Sequence, residues 1–209
     1  MPPSVQKFLD SLKGHPVTVP FVDVPNDMVY WGFTIYRTYY GPGSDQRWSE
    51  LLQRMTTETK LDLESQDGAE DDTTSTAKAW SLFKLDARSD STVLDGLTLE
   101  QVRQLYVEGV GGRPMNADDN PFRVFFLADA EALVGSDFDS ALIKVVAAEY
   151  DAAACVPVNS RFGPQRYFGW MRMPVRCVLA LWFTLEHKFL QEIVDSTAGG
   201  PGALWDSPL

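Results

Sequence analysis

The sequence predicts an α/β or α+β domain, a mixed sheet of four to five strands with helices packed on it and a long C-terminal helix. Three observations carry that prediction. Short runs dense in β-branched and aromatic residues alternate with segments whose apolar residues recur at i, i+3, i+4 and i+7. Glycine and proline punctuate the joins. The chain has 209 residues, 44% of them hydrophobic, which suits one domain with a sizeable core.

Residues 1–27 read as a proline-rich arm. Pro2, Pro3, Pro16, Pro20 and Pro25 lack an amide donor and leave room for one short helix near Ser4 to Leu12. The domain proper spans 28–195. Met28 to Tyr40 is a β-branched and aromatic run closed by Gly41-Pro42-Gly43, a strand that ends in a turn. Val29, Trp31, Phe33, Ile35, Arg37 and Tyr39 share one face, and Tyr30, Thr34, Tyr36 and Tyr40 share the other. Aromatics on both faces predict a central strand covered on both sides.

Ser44 is a good N-cap, and Trp48, Leu51, Leu52 and Met55 form the stripe of a helix over Asp45 to Thr59. From Asp62 to Lys78 there are six acidic residues and no aromatic, which predicts a flexible acidic surface loop over 62–78. Ala79 to Leu85 alternates as a second strand. Thr98 and Gln101 form a capping box, with Leu97 and Val102 at the staple positions, and open a helix that runs to Gly111-Gly112. Phe122 to Ala128 and Ala141 to Tyr150 are apolar runs of strand length, and Phe168 to Met173 is a short last strand. Pro174 then suits the first turn of a helix over Val175 to Val194. Residues 196–209 are a Gly/Pro-rich tail, expected to be loose, with Trp205 available to pin it.

Composition excludes several function classes. There are 18 Lys and Arg against 29 Asp and Glu, a net charge of −11, the wrong sign for tracking a phosphate backbone or an anionic membrane surface. No GxGxxG, GxxxxGK[ST] or GxSxG is present, and Gly109-Val-Gly-Gly-Arg113 closes a helix rather than opening one. His15 and His187 stand in no metal-binding frame. Cofactors and metals are therefore not expected. Asp71-Asp72, Asp118-Asp119 and Asp137/Asp139 read as solvated loop charges. Cys155 and Cys177 form no CxxC pair, and neither a basic leader nor a membrane-length apolar stretch is seen, so a cytoplasmic protein is expected.

The residue with most to say is Arg37, inward-facing among Trp31, Phe33 and Ile35, where a guanidinium needs a carboxylate or a bound anion. Glu149, Asp151 and Asp86, each at the end of another strand, are the candidate partners, either as a structural ion pair or as acid/base groups of a pocket. Trp31, Tyr36, Tyr39 and Trp170 are the candidate aromatic lining of a cleft for a small apolar or aromatic molecule.

Trp31-Gly-Phe33 followed by Ile35-Tyr-Arg-Thr38 resembles the opening motif of a family of uncharacterised proteins widespread in filamentous fungi. Phe122 to Leu133, Leu142 to Asp151 and Phe168-Gly-Trp-Met-Arg-Met-Pro174 resemble its later blocks, so the similarity covers about 29–185. The family carries no agreed activity, cofactor or catalytic residue. The resemblance implies an intracellular fungal protein. The functional expectation is a cofactor-independent small-molecule-binding protein or enzyme of the cyclase or isomerase type, in specialised metabolism. The alternative is a non-enzymatic interaction module that meets a protein partner through the acidic loop or the C-terminal tail.

Overall fold

A computed structural model describes residues 4–13, 29–134, 141–157, 163–197, 199–200 and 202–207. Most of the proline-rich arm, with His15, and the Asp137/Asp139 pair lie outside the described residues.

The centre of the molecule is a five-stranded mixed sheet in the order β2-β1-β3-β4-β5. Strand β1 (Trp31–Arg37) pairs in parallel with β2 (Phe83–Arg88) on one side and with β3 (Val124–Ala128) on the other. Strands β4 (Leu142–Ala147) and β5 (Trp170–Pro174) continue the sheet in antiparallel pairings. Every residue of β1 is buried, as the aromatics on both of its faces predict. Gly32 makes the β1–β2 approach possible: its φ is +122°, and a Cβ there would lie 1.9 Å from the Lys84 carbonyl oxygen.

Side chains of Trp31, Phe33, Ile35, Phe126, Val145 and Met171 form one face of the sheet. They pack against α1 (Val5–Ser11), α2 (Ser44–Glu64) and α8 (Val178–Leu185), and Phe8 meets both Trp31 and Phe183 edge-on at ring distances of 5.1 and 5.0 Å. Tyr36, Phe125, Leu127 and Val146 form the other face, covered by Leu94 of α4 (Ser91–Leu94) and by Val102 and Tyr106 of α5 (Leu99–Glu108). The parallel part is therefore a helix–sheet–helix sandwich. The chain passes over one face between β1 and β2 and over the other between β2 and β3.

Local signals predict the start of α5 well, while its end comes at Glu108, earlier than the expected Gly111-Gly112. Thr98 accepts from the Gln101 amide, Gln101 accepts from the Thr98 amide, and Gly109 closes the helix in the left-handed region at φ 68°.

Elsewhere the structure corrects the expectation. Helix α2 starts at Ser44 behind Gly43 and runs on to Glu64, past the expected end at Thr59. The expected acidic loop over 62–78 is the end of α2, a turn, and α3 (Thr73–Ser81), because Leu63, Ala69, Thr76 and Ala79 are buried at spacings that the acids around them obscure. Asp72 caps α3 by accepting from the Ser75 amide at 2.9 Å. The second strand accordingly starts at Phe83 rather than Ala79.

The expected long C-terminal helix is three pieces: a 3-10 turn at Val175–Cys177, α8, and α9 (Leu190–Asp195). Glu192 accepts from the Phe189 amide at 2.7 Å and so opens a new helix where the pattern suggested continuation. Among the described residues there are also two short helices, α6 (Ala130–Val134) and α7 (Ala152–Cys155). Within the tail, Ala203 to Trp205 are held rather than loose, with Trp205 as the pin. Arg172 of β5 donates its amide to Ala203 at 2.7 Å and accepts from the Trp205 amide at 2.9 Å, and Trp205 is 8% exposed.

Candidate functional site

The groups singled out around Arg37 do not come together. Arg37, buried at the end of β1, donates to the Tyr39 carbonyl at 3.0 Å, the Ser44 hydroxyl at 2.8 Å and the Asp45 carboxylate at 2.6 Å, and lies 4.3 Å from the Tyr40 ring centre. Its carboxylate is thus Asp45, eight residues on at the start of α2, and none of the three expected partners. Asp86 accepts from Thr34 at 2.8 Å and from Arg88 at 3.0 Å. Asp151 caps α7 through the Ala153 amide at 2.8 Å. Glu149 pairs with Arg123. Arg37 ties the end of a strand to the start of a helix through its Nε and one terminal nitrogen.

Nor do the four aromatics line one cleft. Trp31 and Tyr36 are buried on opposite faces of β1. Trp31 donates its indole N–H to the Ala79 carbonyl at 2.7 Å. Burial pushes the Tyr36 phenol up to about 12, despite nearby Arg88. Half-buried Tyr39 packs against the Trp31 side of the core. Trp170 stands on the other side, 5.3 Å from the Lys144 ammonium. Lys144 in turn pairs with Asp129 and, at 3.1 Å, with Glu131, which Arg172 also holds at 3.0 Å. Each aromatic is core or rim packing.

The site that does form lies at the other end of the sheet. Val124, the first residue of β3, stands opposite Ala147, the last of β4, and the register continues outward as the Ala148 amide donates to the Arg123 carbonyl at 2.9 Å. An antiparallel pair that ends this way delivers Arg123 and Glu149 to one edge. Gly169 accepts from the Ala147 amide at 2.9 Å, bringing Tyr167 alongside. The start of α9 supplies Phe189, Leu190 and Gln191, and Asn120 and Pro121 supply the facing wall. Together they enclose a cleft of about 290 Å³.

The cleft holds one cation and one anion. The Arg123 side chain is 22% exposed and that of Glu149 is 66% exposed. The Arg123 Nε–H has no hydrogen-bond partner among the described residues. Tyr167 is buried, and its desolvation holds the phenol protonated well above its ordinary range, so at neutral pH it is a donor. Its ring is set by a T-shaped contact with Tyr150 at 5.6 Å and by Gln165, which donates to the Tyr150 hydroxyl at 2.9 Å and the Tyr167 carbonyl at 2.8 Å. Arg103 of α5 braces the same edge by donating to the Ala147 carbonyl at 2.9 Å. Phe189, 54% exposed, stands at the rim.

Of the predicted site residues, Glu149 alone is here. Arg123, Tyr167 and Phe189 were missed. Pairing the runs 122–128 and 141–150 as a hairpin would have linked Arg123 to Glu149, since each flanks its run at the shared end. Tyr167 and Phe189 had no such signal, because they arrive from turns.

A second hollow of about 420 Å³ lies between α2 and α3, beside Leu63, Thr76 and Trp80. Of its three charged residues, Lys60 and Glu64 pair along one helix at 3.7 Å, and Glu70 stands on the turn after α2. No group of three or more potential metal ligands occurs among the described residues, and no helix there is long and apolar enough to cross a membrane. No protein family, curated protein or solved structure matches the chain.

Proposed function

We propose that the protein binds a small molecule, without a cofactor, in the cleft between the β3–β4 edge and the start of α9. The observation that supports it is the meeting of the Arg123–Glu149 ion pair with the side chains of Tyr167, Phe189 and Leu190 around one concavity of about 290 Å³. Isomerase or cyclase chemistry there falls to Glu149 as the acid–base group, with the ring of Tyr167 as part of the wall. Arg37, Asp86 and Asp151 take no part, because each is engaged elsewhere. The two free thiols, Cys155 and Cys177, suit the reducing cytoplasm of the filamentous fungal cell that the sequence motifs suggest. The interaction-module reading is the weaker one: the acidic stretch is largely helical, and Trp205 is buried within this chain.

The test is a screen of small aromatic and apolar compounds by amide chemical-shift mapping. Compounds that bind should shift Val124, Ala147 and Gln191, and should lose that effect in Gln191→Trp, where the larger side chain fills the cleft from an exposed position. Compounds that bind without touching those amides, or equally well to the variant, overturn the reading.

A further inference from the structure

We infer that the ligand of this cleft is a small zwitterion with an apolar side chain, an α-amino acid or a close derivative; the inference rests on the cleft being the binding site. Arg123 and Glu149 present one positive and one negative group side by side in a cleft floored by Val124, Tyr167 and Leu190 and flanked by the exposed ring of Phe189. A carboxylate suits the guanidinium and an ammonium suits the carboxylate, so a zwitterion satisfies both charges at once. An anion alone strands Glu149, and a cation alone strands Arg123.

The resting pair is easy to open. Glu149 is mostly in water, where an ion pair is worth little, so exchanging Arg123–Glu149 for two ligand contacts sacrifices a weak interaction. Arg123 also has its Nε–H unused, a donor that becomes available to a carboxylate when the guanidinium turns away from Glu149. The volume of about 290 Å³ suits an amino acid with an aromatic or long aliphatic side chain. Phe189 at the rim and Tyr167 within offer ring surfaces to such a side chain.

The experiment titrates the intact protein by calorimetry and chemical-shift mapping with four probes: L-phenylalanine, N-acetyl-L-phenylalanine, phenethylamine and neutral 3-phenylpropanamide. Phenylalanine should bind at the Val124, Ala147 and Gln191 amides, and the other three about tenfold or more weaker. In Glu149→Gln, a change at a mostly exposed position, phenylalanine should weaken while N-acetyl-L-phenylalanine gains, because Arg123 is freed. Arg123→Met should show the opposite preference and favour phenethylamine.

If the neutral amide binds at the same amides as tightly as phenylalanine, the zwitterion assignment fails and the cleft stands. It fails equally if phenylalanine is ignored while other compounds of the screen shift those amides. If no compound shifts them, both readings fall.

Discussion

Asp62 stands half-buried on α2, with Glu58 one turn back and Arg176 across from it. Burial and then the Glu58 charge push its carboxyl up to about 6 against an opposing pull from Arg176. A carboxyl with a folded-state pKa above its unfolded value holds its proton more tightly when folded. Its contribution to stability is therefore favourable at low pH and is lost as the pH rises from the ordinary carboxylate range to about 6. Asp62→Asn, which mimics the protonated form, should make the protein more stable at pH 8 by about 1 kcal/mol, a figure that allows for water at the half-exposed group. Urea melts should show that gain shrinking between pH 6 and pH 4. An unchanged or lower stability at pH 8 would show that the Arg176 attraction outweighs burial. Cys177, the chain neighbour of Arg176, is buried, and its thiol, pushed up to about 11 mainly by desolvation, behaves as a small apolar group at neutral pH.

At the scale of elements, the join from β1 to α2 depends on Arg37. Its three acceptors lie on the turn and the first helical turn, so the side chain sets the angle at which α2 leaves the sheet. Arg37→Met should cost about 2 kcal/mol in a thermal melt, from acceptors left unsatisfied. Asp45→Asn should cost under about 1 kcal/mol, since the Asp45 side chain is 93% exposed. Glu149→Gln should add to Arg37→Met without rescue, because the two residues share no partner; a rescue would restore the pairing expected from sequence.

Elements were legible where their signals are local. Met28 to Tyr40 and the Thr98–Gln101 cap carry their own evidence within a few residues. Helix α3 was hidden because composition weighs every residue equally, whereas burial falls on a few spaced positions, Leu63, Gln66, Ala69, Thr76 and Ala79. The break between α8 and α9 was hidden because an acid three residues past a phenylalanine is a weak sign until the backbone amide it caps is known. The cleft was hidden for a different reason: its walls come from four separate parts of the chain, and only their three-dimensional register brings them together.

For the molecule as a whole, the β5 edge of the sheet matters. At β5 the segment 203–205 runs beside Arg172, and Trp205 and Ala203 join the main core. Covering a strand edge in this way removes a template for association. Trp205→Ala should cost about 3 kcal/mol, as for other large-to-small changes in a core, and should accelerate hydrogen exchange at the Arg172 amide, which donates to Ala203. A variant with wild-type stability and unchanged exchange would mean that the tail is held by its backbone alone.

The meeting of Phe8 with Trp31 and Phe183 has a consequence for how the chain is made. One face of β1 is covered jointly by α1, from the first few residues, and by α8, near residue 180. A growing polypeptide presents Trp31 and Phe33 long before the ribosome delivers α8. Throughout that interval the most aromatic surface of the future core lacks its lid. Contacts separated by so much sequence form slowly, and exposed apolar surface on incomplete chains invites association with other chains. The central strand, the feature most easily read from the sequence, is thus also the one whose folding must wait for α8, about 140 residues further on, to be synthesised.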